Sequence, residues 1–302
     1  MFTASRRRTA LAVAATLGTA IAVSGCASAN PLDEPASDAA AGTIVVGSQD
    51  YYSNEIIAEI YAQALEGAGF TVERLFTIGQ RDAYLPEVES GAITLFPEYS
   101  GNLLQYFDPE TTARSADDVY AALQEVLPEN LTVLDQASAT DQDSYTVTEE
   151  FAQEYGLVTI ADLATVPVPL TLGGPPELAE RPYGPTGLQD VYGVNVAFSA
   201  TGATTVEDLT AGTVNLANVF TADPRIQTDG LVVLEDPQAL FLASNVVPLV
   251  SADVADQIAE VINAVSAKLT PEGLVALNVQ STVDQMSTPD IAAQWLADNG
   301  LT

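Results

Sequence analysis

The sequence predicts an α/β protein of two lobes joined by two crossovers, with a cleft between them. Three observations carry this expectation. Short β-branched runs alternate with capped amphipathic segments, the pattern of a mostly parallel sheet flanked by helices. Once an N-terminal leader and linker are set aside, about 260 residues remain, enough for two lobes that each bury a core. The alternation is broken by a polar stretch near residues 138–143, restarts, and breaks again near residues 236–245 before a last strand and a long helix. The lobes are therefore expected to be residues 43–140 plus 245–302, and residues 141–244.

Taken in order, Thr43-Ile44-Val45-Val46-Gly47 predicts a buried strand. A helix follows from Ser53, with Ile56, Ile57, Ile60, Tyr61, Ala64 and Leu65 on one face and Gly67 and Gly69 ending it. A strand over residues 70–76, a helix from Asp82 to Ser90 stopped by Gly91, and a strand over residues 92–96 continue the pattern. Ser115 opens a helix whose stripe is Val119, Ala122, Leu123, Val126 and Leu127, and a strand spans residues 131–134. The second run predicts strands over residues 145–148, 168–172, 194–198 and 214–220. The return consists of a strand over residues 246–250 and a helix from Ala252 to Leu269. Ligands of open α/β sheets bind beyond the carboxyl ends of strands, so residues 48–53, 97–102, 173–187 and 221–225 are expected to line the cleft.

The N-terminus reads as an export leader over residues 1–25. Arg6, Arg7 and Arg8 precede an apolar run from Ala10 to Val23 and then Val23-Ser24-Gly25-Cys26. The run is about 14 residues, shorter than the ~20 that span a hydrocarbon core. Cys26 is the one cysteine of the chain and stands where such a motif is cleaved and acylated, so a lipid anchor on Cys26 and a location at the outer face of the cell membrane are expected. Residues 26–42, rich in Ala, Ser, Pro and Asp, read as a flexible tether. No disulfide is possible with one cysteine.

Composition excludes several classes of function. The chain holds 41 acidic residues against 9 basic ones, a formal net charge of -32. Such a surface repels phosphate backbones, so no nucleic-acid partner is expected. Histidine is absent, which removes Ser-His-Asp chemistry, histidine proton transfer and histidine metal sites. No cofactor or metal is expected: the Gly/Pro-rich stretch over residues 173–187 has neither the P-loop nor the dinucleotide pattern.

The segment Phe96-Pro97-Glu98-Tyr99-Ser100-Gly101-Asn102 resembles the PEYTG signature of the glycine betaine, choline and carnitine binding proteins of osmoprotectant ABC importers, the ProX/OpuAC-like family. Gly47-Ser48-Gln49-Asp50-Tyr51 is similar to the opening of that family. Gly173-Gly174-Pro175-Pro176-Glu177 with Arg181-Pro182 is similar to its GGPPEF…RPDG loop, and Leu234-Glu235-Asp236-Pro237 with Asn245-Val246-Val247-Pro248 to its LEDP…QNVVP run. The likeness runs from Thr43 to the C-terminus in the same order and spacing. It implies a two-lobe, type II-like periplasmic-binding-protein fold with the ligand in the interlobe cleft, an ABC permease as partner, and no catalysis.

A trimethylammonium group donates no N–H hydrogen bond, so it is recognised by aromatic faces, each contributing about 0.5–2 kcal/mol when desolvated. A carboxylate on the same ligand requires a cation such as arginine. By position, the resemblance makes Tyr99 one wall of an aromatic cage. Phe220 stands where many members have tyrosine. Tyr51 lies near the first strand end beside Gln49, where some members have lysine. Arg181 matches a loop arginine that holds the ligand carboxylate in some members, and Asn102 and Asn245 fall at polar cleft positions. Two positions depart: Asp143 and Ser244 stand where some members have cage tyrosines, and an aspartate there favours choline or an N–H-bearing cation over a zwitterion.

Ordinary roles compete for each residue. Tyr99 and Phe220 have an alternative as core aromatics, Arg181 as half of a surface ion pair, and Asp143 as a turn residue. Other functions stay open as well: a binding protein for another small solute such as an amino acid, or a ligand-sensing lipoprotein without transport. An enzyme using Glu98 or Asp143 as acid and base lacks a second partner or nucleophile elbow in the sequence.

Overall fold

The computed structural model describes residues 42–301. The expected leader, the Cys26 lipid site and nearly all of the tether lie outside the described residues. Among those described, no helix is long and apolar enough to cross a membrane.

The chain first lays down β1 (Thr43–Gly47), α1 (Tyr52–Gly67), β2 (Thr71–Leu75), α2 (Arg81–Glu89), β3 (Leu95–Tyr99), α3 (Ser100–Phe107), α4 (Ala116–Val126) and β4 (Leu131–Val133). It then builds β5 (Asp143–Thr148), α5 (Glu149–Tyr155), β6 (Leu170–Gly174), α6 (Pro185–Tyr192), β7 (Val196–Ala200), α7 (Thr205–Thr210), β8 (Leu216–Phe220), α8 (Arg225–Thr228) and β9 (Leu231–Val233). It ends with β10 (Val246–Ser251), α9 (Ala252–Ser266), α10 (Pro271–Thr282) and α11 (Thr288–Asn299).

Two five-stranded sheets result, in the orders β2-β1-β3-β10-β4 and β7-β6-β8-β5-β9. Each sheet has one antiparallel member, β10 in the first and β5 in the second, and each is the first strand after a crossover. The crossovers run side by side: Thr140 bridges Asn245, and the Val246 amide donates to the Ala139 carbonyl at 2.9 Å.

Burial follows the apolar periodicity. Ile56, Ile57, Ile60, Tyr61 and Leu65 of α1 pack with Ile258, Ile262 and Val265 of α9 on one face of the first sheet. Tyr84, Leu85, Leu104, Val119 and Leu123 fill the other face. Tyr145, Leu172, Leu188 and Leu216 anchor the core of the second sheet.

The structure corrects three boundaries. The strand expected at residues 92–96 runs from Leu95 to Tyr99, so Pro97 is inside it. Pro97 faces Pro248 on antiparallel β10, a pair in which neither residue has an N–H to offer. The Pro97 carbonyl turns away and accepts from Asn54 Nδ2 at 2.8 Å, while that of Pro248 accepts from the Leu134 amide at 3.0 Å. Asp143 and Ser144, read as part of a polar crossover, already belong to β5. The helix expected to reach Leu269 stops at Ser266, because Thr270 caps the separate helix α10, with Pro271 at its first position and the Gly273 amide 3.0 Å from Thr270 Oγ1.

Candidate ligand-binding site

Residues that follow β1, β3 and β6, together with the last residue of β8, meet between the sheets around a cavity of about 40 Å³. That volume corresponds to about three water molecules. Gln49, Tyr51, Tyr99, Asn102, Asp143, Arg181 and Phe220 all line it, so seven of the eight residues expected at the site are together. An adjoining chamber of about 390 Å³ shares Gln49, Tyr51 and Phe220 and extends to Asp223 and Arg225.

Asn245 is the exception. Its Nδ2 donates to the Ala137 carbonyl at 2.9 Å, and its backbone amide donates to Ser100 Oγ at 3.0 Å. It ties the two crossovers together and is not among the residues lining the cavity. Ser244, the second departing position of the resemblance, donates to Asn102 Oδ1 at 2.7 Å and accepts from the Gly101 and Asn102 amides. Backbone approach explains the glycine of the signature: a Cβ on Gly101 would meet the Ala243 carbonyl oxygen at 2.6 Å.

The wall from the first sheet is built around Glu98, which is fully buried. Arg81 donates from Nε and Nη2 to its two oxygens, both at 2.8 Å, the Tyr84 hydroxyl donates at 2.5 Å, and the Tyr99 amide donates at 2.9 Å. Gln49 Nε2 in turn donates to the Tyr84 hydroxyl at 3.2 Å. Burial opposes the Arg81 charge, and Glu98 together with Tyr84 and Tyr183 more than offsets this, so the guanidinium stays protonated. A buried ion pair is tolerable when its remaining hydrogen-bonding capacity is met in this way, and the network fixes Gln49 and Tyr99 in place.

The facing wall carries Asp143, Tyr183, Arg181 and Phe220. Asn102 reaches over from α3, donating Nδ2 to Asp143 Oδ2 at 2.7 Å and to the Tyr183 hydroxyl at 3.0 Å. Tyr183 is further held by its carbonyl, which accepts from the Tyr145 hydroxyl. The Tyr51 and Phe220 rings pack across the cleft with centroids 5.0 Å apart, tilted by 39°. Arg181 comes within 3.7 Å of Asp82, whose side chain is 65% exposed.

Asp141, on the first crossover, also lines the cavity and is only 2% exposed. It accepts from the Tyr51 hydroxyl and the Ala222 amide, each at 3.0 Å. Burial pushes its carboxyl up to about 7; the bonds from Ala222, Tyr51 and Ser53 oppose the rise and Asp223 adds to it. Burial, then Asp141, also raises the hydroxyls of Tyr51 and Tyr99, which stay protonated.

Arg81, Asp141 and Tyr183 escape the sequence reading. Tyr183 stands two residues from Arg181 in the loop already singled out. Arg81 precedes the residue taken as the helix start, and Asp141 is one of several polar residues in a crossover, so neither carries a local signal.

The model of the substrate binding domain of ABC-type glycine betaine transport systems matches residues 42–298. The chain belongs to that family. Among curated relatives, the glycine betaine-binding protein YehZ of Escherichia coli (strain K12) is 26% identical over 285 residues, covering 87% of this chain and 92% of its own. The ergothioneine transport permease/ergothioneine binding protein EgtU of Helicobacter pylori (strain G27) is 23% identical over 281 residues, covering 85% of this chain and 48% of its own. A crystal structure of a glycine betaine/carnitine/choline ABC transporter protein superposes with a TM-score of 0.71 at 18% identity, covering 85% of this chain and 99% of that one. The architecture is thus the two-lobe periplasmic-binding-protein type. As a member, this chain is an extracytoplasmic binding protein that works with an ABC permease, and it is not an enzyme.

Proposed function

We propose that this protein captures a quaternary-ammonium osmolyte, of the glycine betaine or choline type, and delivers it to the permease of its importer. The observation that carries this reading is the cavity between the two sheets, where Tyr51, Tyr99, Tyr183 and Phe220 stand with Asp141 and Asp143. Aromatic faces and carboxylates attract a cation that has no N–H to donate. Gln49, Asn102 and Arg181 supply polar contacts from the two walls, and Arg181 is the group suited to a ligand carboxylate.

In this reading, residues 43–140 plus 245–302 and residues 141–244 are the two lobes of a clamp, a division supported by sheet membership. Closure follows from a ligand that touches both lobes, since only differential affinity for the closed state shifts the equilibrium. Cys26 holds the protein to the outer face of the membrane by lipid, a proposal that rests on the leader and on Val23-Ser24-Gly25-Cys26. The adjoining chamber of about 390 Å³ favours, as a second reading, a bulkier quaternary ammonium such as ergothioneine, the compound for which the Helicobacter relative is named.

Calorimetric titration with choline and glycine betaine, repeated on Tyr99→Ala, tests the reading. Micromolar binding of either ligand, lost in the variant, is the expected result. No heat with either ligand, while ergothioneine binds, would move the assignment to the second reading. Silence with all three would sink the quaternary-ammonium assignment. Metabolic labelling with a fatty acid, present in the full chain and absent from Cys26→Ser, tests the anchor.

A further inference from the structure

One residue of the second lobe is buried in the core of the first. Ala222, two residues beyond the end of β8, is 1% exposed and packs with side chains of α1, α9, α10 and α11; among the described residues it is the one member of that cluster from residues 141–244. Its carbonyl accepts from Asn278 Nδ2 of α10 at 3.0 Å. The same segment is bound to the first crossover: the Ala222 amide donates to Asp141 Oδ1 and the Thr221 amide to the Gln142 carbonyl, each at 3.0 Å. That crossover is stitched in turn to the chain just ahead of α10, where the Ala139 amide donates to the Leu269 carbonyl at 3.0 Å. Asparagine is a costly choice at residue 278. Leu274 and Leu277 share the buried face of α10 with it at helical spacing, and Asn278 itself is 0% exposed. Its Oδ1 has no partner among the described residues. A buried amide with one group unpaired loses stability that an apolar side chain on the same face would keep, and the bond that offsets part of this loss is the one to the second lobe.

We propose that Asn278 is a positioning residue for ligand capture: from outside the cavity it pins Ala222 to α10 and so favours the arrangement in which the two walls touch. The proposal rests on the reading of the two lobes as a clamp. The bond is present together with the contacts made across the cleft, from Asn102 to Asp143 and from Arg181 to Asp82. Phe220 ends β8 and lines the cavity, so the strand that carries this wall residue is fixed just beyond its end by α10. A swing of the second lobe about the paired crossovers at Thr140 and Asn245 carries the Ala222 carbonyl along with β8 and draws it from Asn278, which leaves the whole buried amide unpaired. The cost falls on the open arrangement. A ligand then meets a larger share of molecules that are competent to close on it, and its apparent affinity rises by that share.

The test measures the distance between spin labels on Glu89→Cys of α2 and Asp190→Cys of α6, both exposed positions, in the full chain carrying Cys26→Ser so that the labels meet no third thiol. It is paired with calorimetric titration of choline and of glycine betaine. Asn278→Leu and Asn278→Ala both remove the donor and differ in volume, so an effect that they share belongs to the bond. Both variants, free of ligand, are expected to show longer distances than the unaltered protein. Whichever ligand the unaltered protein takes should bind them about fivefold more weakly, the size that one hydrogen bond supports. At saturating ligand the distances should return to those of the unaltered protein. Denaturant unfolding separates this role from packing, since Asn278→Leu should keep its midpoint. Unchanged distances in the ligand-free variants would overturn the inference, and so would a loss of stability with distances and affinity unchanged. No heat with either ligand in the unaltered protein would count against the quaternary-ammonium reading instead, and the ligand-free distances would still decide the role of Asn278.

Discussion

The two walls of the cavity are built on opposite principles. On the first sheet, Glu98 collects hydrogen bonds from Arg81, Tyr84 and the Tyr99 amide, so the wall is complete within its own lobe. On the second sheet, Asp143 and Tyr183 take donors from Asn102 of α3, and Arg181 faces Asp82 of α2. One wall takes its contacts from its own side; the other reaches its full set of contacts only across the cleft. The comparison separates a binding surface that is arranged in advance from one whose arrangement depends on the facing sheet.

The sharpest way to break this comparison is to remove the centre of the first wall. Glu98→Ala leaves the buried Arg81 guanidinium without its carboxylate, and a loss of about 3–5 kcal/mol is expected from denaturant unfolding. A loss below 1 kcal/mol would mean that the network is not what holds the wall. Gly101→Ala probes the seam between the walls, where a methyl group would meet the Ala243 carbonyl. It should destabilise by about 1–3 kcal/mol, the usual range for overpacking, read from the same unfolding curves. The smallest effect belongs to the contact made across the cleft. Asp82→Ala removes a 3.7 Å pairing to an exposed carboxylate, and unfolding should shift by less than about 0.5 kcal/mol. A larger shift would mean that the pairing across the cleft holds the fold as the buried network does, and would erase the distinction.

Much of this arrangement was legible in the sequence, and for a physical reason. Apolar periodicity is a local property, so α1 and α9 could be read from their stripes, and the rule that cleft residues follow strands located Gln49, Tyr51, Asn102 and Arg181. Strand ends were less legible. Pro97 looks like a strand terminator until its antiparallel neighbour is seen to place Pro248 opposite it, and that pairing is set by β10, some 150 residues further along the chain. Asn245 was misplaced for a similar reason: a polar residue at a crossover can face the cleft or bind the adjacent backbone, and only the bridge to Thr140 decides between them. The meeting of Arg81 with Glu98, and of Asp141 with Tyr51, joins residues far apart in sequence whose pairing no spacing encodes.

The bridge between Thr140 and Asn245 also has a consequence for the chain as an engineered object. The backbone leaves the first sheet and re-enters it at a single point, so everything between is an insert whose two ends lie side by side. Such a segment is a cassette. The corresponding segment of a relative would meet the first sheet at the same bridge, and a pair of reporters placed at the tips of the two sheets would read any movement between them as a change in a single distance.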